Sequence, residues 1–172
     1  MISASQLLRI DAAVCRQCNR TSRVAAVRWG FARISRLGDG VFWYVLAAAL
    51  IAFDGAAALP TVLRLFAAGL CGLALYKWLK RHTLRPRPYE VVPQIEAAAP
   101  PLDQFSFPSG HTLHAVSFSL IIASSYPALA PLVFAVAALV ALSRPVLGLH
   151  YPSDVIAGAL IGAAVAQVAL AL

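Results

Sequence analysis

Charged side chains are scarce in this sequence. They make up 12% of its 172 residues, and only seven are acidic. A soluble domain carries about 25% charge and about 45–50% apolar residues. This chain is 60% hydrophobic, with a mean hydropathy of +0.77. Such a composition points to an integral membrane protein whose helices pack in lipid, with a soluble helical bundle a distant second reading. The shortage of acids also bears on chemistry. Magnesium and calcium want several carboxylate oxygens, yet Asp11, Asp39, Asp54, Glu90, Glu96, Asp103 and Asp154 are scattered, and only Asp154 falls among the other candidate functional residues. No metal and no other cofactor is expected. Cysteine is rarer still. Cys15 and Cys18 form a lone CxxC with no second pair to complete a zinc site, and Cys71 lies in an apolar run as an expected packing residue. The N-terminus lacks an apolar core followed by a small-residue cleavage site, so no leader peptide is expected.

What the chain has in plenty is apolar runs. A membrane helix needs about 20 mostly apolar residues, and residues 41–59, 61–79, 112–126, 132–147 and 155–172 meet or approach that length. Pro60, Pro127 and Pro131 mark tight connections between them. The expected fold is all-α, an integral membrane bundle of about five transmembrane helices preceded by an N-terminal amphipathic segment. Residues 41–172 form the expected membrane-embedded domain. Residues 1–40 differ: Arg9, Arg16, Arg20, Arg23, Arg28, Arg33 and Arg36 interrupt the apolar residues every few positions. This suits a helix or helix pair lying in the interface, among anionic head groups. A sixth span across residues 2–37 is the alternative. The net charge of +7 is thereby assigned to membrane lipids as partners, not to nucleic acid. Residues 81–107 form the one long connection, expected to carry a short surface helix near residues 92–99. Asp54 and Arg64 fall near the opposite face, where they are expected to pair.

Three polar islands interrupt this apolar background, at residues 80–88, 108–111 and 143–154. Folding the runs as a zigzag brings all three to one membrane face. Polar groups among membrane helices are costly and usually mark function. In the first island, Lys80 offers a point charge and Arg87 a planar fork matched to phosphoryl oxygens; cations snorkelling at a helix end would look the same. The second, Pro108-Ser109-Gly110-His111, opens a helix whose free N–H groups suit an anion. Ser109 adds a hydroxyl and Gly110 permits close approach, although an ordinary serine cap has the same form. In the third, Arg144 adds a cation, and Pro152 fits the first position of the last helix. Asp154, in that helix's first turn, can accept from one ring nitrogen of His150, either to orient a nucleophile or base or as a structural cap. His82 and His114 have no partner visible in sequence and are taken as structural.

Taken together, Lys80 and Arg87-Pro88 separated by six residues, Pro108-Ser109-Gly110-His111, and Ser143-Arg144 followed by His150 and Asp154 resemble the type 2 phosphatidic acid phosphatase family, whose site is shared with vanadium haloperoxidases. The resemblance covers residues 80–154 by motif and extends by helical layout from about residue 41 to the end. It implies a metal-independent phosphatase. By that resemblance His150 attacks phosphorus, Asp154 orients it, and His111 protonates the leaving oxygen. Lys80, Arg87, Ser109, Gly110 and Arg144 would bind the phosphoryl group. Residue chemistry alone does not say which histidine attacks.

A site at the membrane boundary suits a lipid phosphate or diphosphate. Undecaprenyl diphosphate is the first expectation, and phosphatidate or phosphatidylglycerophosphate the second. A haloperoxidase is disfavoured by the spans; a non-catalytic transporter or scaffold is the more distant reading. The expected location is the inner (plasma) membrane, as a multi-pass protein. Its sidedness is open. Five spans put the arginines and the site on one face, which the positive-inside rule assigns to the cytoplasm, whereas many bacterial members of the family work on the outer face.

Overall fold

The computed structural model describes residues 4–172; residues 1–3 of the N-terminal segment lie outside the described residues. The described chain is helical with turns and loops between. In order it forms α1 (Ala4–Arg20), α2 (Ala25–Arg36), α3 (Phe42–Asp54), α4 (Leu59–Thr83), α5 (Pro88–Val91), α6 (Gly110–Ser125), α7 (Ala130–Val146) and α8 (Pro152–Ala171). Prolines start several of these: α4, α7 and α8 each carry one in the first turn, where a missing N–H costs nothing. Leu84, in the left-handed region, ends α4. The turn Leu37–Val41 joins α2 to α3 and contains Gly40 at φ 124°, a conformation that strongly favours glycine.

The five expected spanning helices are α3, α4, α6, α7 and α8. Among the described residues, three helical stretches are long and apolar enough to cross a membrane: Ala25–Val91, Pro127–Val146 and Pro152–Ala171. The first of these doubles back at Gly55–Ala58, so it supplies both α3 and α4. α6 is shorter and more polar. It lies inside the bundle against α4, α7 and α8, and its Thr112, Ser117 and Ser119 are buried. Buried hydroxyls need partners, and Ser117 donates to His114 O and Ser119 to Val133 O. Trp43, Leu65, Ile121, Ile122, Val133 and Val165 build the core around α6. Phe53, Leu63, Phe66, Leu160 and Val168 point outward, as lipid-facing residues should.

Three local expectations change. The short helix in the long connection is Pro88–Val91, not residues 92–99. Pro88 starts it, Glu90 caps it by accepting from Arg87 N at 2.8 Å, and Gln94 at φ 71° stops any continuation. Cys71 is exposed on the outer surface of α4 instead of packed. Asp54 accepts from the Tyr126 hydroxyl at 2.9 Å instead of pairing with Arg64.

The closest helix contact fixes the site. A Cβ on Gly158 would lie 2.5 Å from the Ser109 carbonyl oxygen, and one on Gly162 would lie 2.3 Å from that of Leu113. Side chains there would drive α8 away from α6, so small residues are required. Overpacking of this kind costs about 1–3 kcal/mol or more. Gly162→Val should therefore lower the thermal midpoint of the protein in detergent by several degrees, whereas Ala164→Val, on the exposed face of α8, should leave it within about one degree. Equal midpoints for the two variants would refute this account of the contact.

Candidate active site

The N-terminal ends of α6 and α8 and the C-terminal ends of α4 and α7 meet at one end of the bundle. Their connection is direct: Ser109 N donates to Asp154 O at 3.0 Å. Ser109 caps α6, its hydroxyl accepting from Thr112 N at 3.4 Å. Pro145 lies in the last turn of α7, and the chain then folds back so that Leu149 N donates to Arg144 O at 3.0 Å. Gly148 makes that turn at φ 73°, and a Cβ there would sit 2.5 Å from Glu96 O. The turn lays His150 beside Arg87 and Arg144.

The cations are almost entirely out of water: Arg87 is 1% exposed, Arg144 2% and Lys80 5%. Lys80 Nζ donates to Asp103 Oδ1 at 2.7 Å and to Phe105 O at 2.6 Å. Arg87 donates from Nη2 to the same Asp103 oxygen at 2.7 Å and from Nη1 to Leu149 O at 2.7 Å. Its Nη1 also lies 3.4 Å from His150 Nε2. Arg144 Nη1 donates to Ser35 Oγ at 2.5 Å, while its buried Nε has no partner among the described residues. His111 Nε2 donates to Asp39 Oδ1 at 2.5 Å.

His150 and Asp154 adjoin without a hydrogen bond, Nδ1 to Oδ2 being 3.7 Å. Asp154 spends its oxygens elsewhere. Oδ1 accepts from Arg85 Nη1 at 2.6 Å, and Oδ2 accepts from Tyr151 N at 2.8 Å. Burial, then the charges of Arg144, Arg87 and Lys80, hold the His150 imidazole well below its usual pKa. It is therefore neutral near pH 7 and keeps a lone pair. Burial raises the Asp103 carboxyl, but Lys80 and Arg87 more than reverse this and hold it below the ordinary carboxylate range.

Asp154 is not the only carboxylate at this end. Asp103 joins Lys80 to Arg87, Asp39 meets His111, and Asp11 meets Arg85 at 2.6 Å. Each is engaged by a cation or an imidazole, and among the described residues no group of three His, Cys, Asp or Glu side chains is arranged to hold a metal. Arg85, Ser35 and these three acids were not singled out by sequence. One signal was available in α1, where Asp11, Cys15 and Asn19 recur at every fourth position. All three are buried, while Leu7, Leu8, Ile10 and Val14 are exposed. Asp11 accepts from Ser153 N at 2.9 Å and from the Ser153 hydroxyl. Asn19 donates to Glu96 O and Val146 O at 3.0 Å each. Cys15 Sγ lies 3.6 Å from His150 O, and burial, followed by the charges of Cys18 and Asp11, pushes its pKa up to about 12, so it is a thiol. His82 bonds Trp78 O. His114 bridges Gly110 O and Gly69 O.

A cavity of about 430 Å³ opens from this cluster. Lys80, Arg87, His111 and His150 line its polar end. From there it runs between α3 and α4, past Trp43, Ala47, Leu65, Phe66, Leu70 and Leu73 to Val62, with Phe118 of α6 also in its wall. Lys80 and Val62 are 18 residues apart on α4, about 27 Å at 1.5 Å per residue. A polar end lined by Lys80, Arg87, His111 and His150 thus continues into an apolar slot along α4.

Comparison with solved structures gives two extensive likenesses. The crystal structure of Aquifex aeolicus LpxE superposes with a TM-score of 0.75 at 25% identity, over 93% of this chain and 94% of that one. The first transmembrane PAP2 type phosphatidylglycerolphosphate phosphatase from Bacillus subtilis superposes with a TM-score of 0.72 at 22% identity, over 99% of this chain and 87% of that one, a likeness of fold. Comparison with curated proteins gave no match. The PAP2 superfamily matches residues 59–172, from α4 through α8, and this membrane-helical chain belongs to that family.

Proposed function

We propose that this PAP2 phosphatase removes phosphate from a membrane lipid phosphate or diphosphate through a phosphohistidine on His150, with protein cations doing the work a metal does elsewhere. The observation that carries the reading is the meeting of buried Lys80 and Arg87 with His111 and His150 at the end of a long apolar slot, with Arg144 buried close behind them. Burying positive charge is costly unless it is compensated, and a phosphoryl group supplies compensation here. The unpartnered Nε of Arg144 and the fork of Arg87 suit its oxygens, as do Lys80, the Ser109 hydroxyl and the backbone at Gly110.

The chemistry runs in two displacements. The lone pair of neutral His150 forms a bond to phosphorus as the bond to the leaving oxygen breaks. That oxygen keeps the electron pair and takes a proton from His111. Asp154, 3.7 Å away, offsets the charge that His150 gains; such hydrogen bonds often tighten only with substrate bound. Water then attacks phosphorus, His111 accepts its proton, and the P–N bond breaks to return His150 and free phosphate. Lys80, Arg87 and Arg144 stabilise the charge building on the transferred group, which is where electrostatic catalysis acts most.

The apolar slot favours a substrate with one long chain beside the head group. Undecaprenyl diphosphate is therefore the first candidate, with phosphatidate or phosphatidylglycerophosphate next. We also propose residues 1–40 as an interfacial segment, since α1 exposes Leu7, Leu8, Ile10 and Val14 together with Arg9 and Arg20, a mixture suited to the head-group boundary. The inner (plasma) membrane is the proposed location.

Purified His150→Ala should express and fold but release no phosphate; retained turnover would reject the mechanism. The wild-type protein should hydrolyse lipid phosphates at the same rate with EDTA present, and loss of activity there would reject the metal-free reading. Ala47→Phe narrows the slot and should raise KM for a long-chain lipid phosphate about tenfold more than for a short-chain analogue, because the two differ in buried chain. Equal changes would place the chain elsewhere.

A further inference from the structure

We infer that Asp39 is a positioning residue for His111, holding that imidazole so that it can deliver a proton to the leaving oxygen. The inference rests on the proposed role of His111 as the acid, and it concerns a residue outside the family match at 59–172.

The geometry is built around one contact, His111 Nε2 to Asp39 Oδ1 at 2.5 Å. Asp39 has no second ion-pair partner among the described residues, whereas Asp103 and Asp154 each serve two groups. The backbone on both sides is committed to the approach. A Cβ on Gly38 would lie 2.9 Å from Val140 Cγ1 and 3.3 Å from His111 Cδ2, so a larger residue would push Asp39 away. Gly40, at φ 124°, kinks the chain immediately afterwards. Gly38, Asp39, Gly40 and His111 all line the cavity that ends at His150. The Asp39 side chain is 34% exposed and that of His111 10%, so the pair borders the space that a substrate enters.

A carboxylate on one ring nitrogen fixes the tautomer and the ring plane. With Nε2–H held by Asp39, Nδ1 carries the proton that moves. As the P–O bond breaks, its electron pair goes to the leaving oxygen and the Nδ1 proton joins it, leaving neutral His111 with Nε2–H still on Asp39. In the second displacement water oxygen bonds to phosphorus, the P–N bond to His150 breaks, and Nδ1 takes the water proton. Asp39 neither gains nor loses a proton. The site then contains two imidazole–carboxylate pairs, His150 with Asp154 for attack and His111 with Asp39 for proton transfer.

Leaving-group dependence separates this role from a structural one. A long-chain alkyl phosphate has a poor leaving oxygen and needs the acid; p-nitrophenyl phosphate has a good one and needs it far less. General acid catalysis is worth roughly 10²–10⁴ in rate. Asp39→Asn in the purified full chain should lower kcat about 100-fold on the alkyl phosphate and at least tenfold less than that on p-nitrophenyl phosphate. KM for each should stay within about threefold. In a His111→Gln background, Asp39→Asn should add less than about a twofold further loss. Equal losses on the two substrates, no loss, or fully additive losses would each overturn the inference. If Asp39→Asn is not recovered folded, Asp39→Glu, which keeps the charge but displaces it, serves for the same comparison and is judged by the same ratio. His150→Ala assayed on p-nitrophenyl phosphate tests the underlying mechanism separately. Turnover surviving that change removes the mechanism itself; turnover lost there, with equal losses in the Asp39 variant, removes this inference alone.

Discussion

Positive charge buried at the end of a helix bundle sets the terms for everything around it. Each ion taken out of water costs several kcal/mol unless partners replace the lost solvent, and Lys80, Arg87 and Arg144 are all at most 5% exposed. The partners come from distant parts of the chain. Asp103 in the long connection serves Lys80 and Arg87 with one oxygen, Leu149 lends its carbonyl to Arg87, and Ser35 of α2 meets Arg144. The compensation is incomplete at Arg144 Nε. That leaves one buried donor without a partner among the described residues, which suits the phosphoryl group proposed above.

The helix packing serves this arrangement. α6 carries Ser109, Gly110 and His111 into the site, and it is held there by α8, whose Gly158 and Gly162 let two backbones touch. The same approach brings Ser109 N onto Asp154 O, which ties the Ser109–His111 turn to the start of α8. On the other side α3 and α4 spread from their shared end at Gly55–Ala58 and leave the slot between them. The close backbone contact and the apolar slot are thus both organised around α6.

The segment before α3 is more than an attachment to this bundle. Its buried polar stripe, Asp11, Cys15 and Asn19, supports the Arg85 side chain, the His150 turn and the loop at Glu96. Arg85 in turn lies 4.0 Å over the Tyr151 ring and grips Asp154. Leu7, Leu8, Ile10 and Val14 are exposed on α1 while Asp11, Cys15 and Asn19 are buried, so one helix turns part of its apolar surface away from the bundle and a polar stripe toward the groups behind His150.

The sequence by itself determined the all-helical membrane character, the five apolar helices and the candidate set His150, His111, Asp154, Lys80, Arg87, Ser109, Gly110 and Arg144. It could do so because hydrophobic length and motif spacing are local properties of the chain. The zigzag of apolar runs even put the three islands at one end. It could not say what compensates their charge, since Asp39 and Asp103 look like any loop acids until folding sets them on His111 and on Lys80 with Arg87. Nor could it fix the His150–Asp154 separation, because Asp154 is shared with Arg85, which only tertiary packing delivers. Local pattern decides which helices form and which groups sit at their ends; where a counter-charge comes from 72 or 74 residues away, only the closed structure decides.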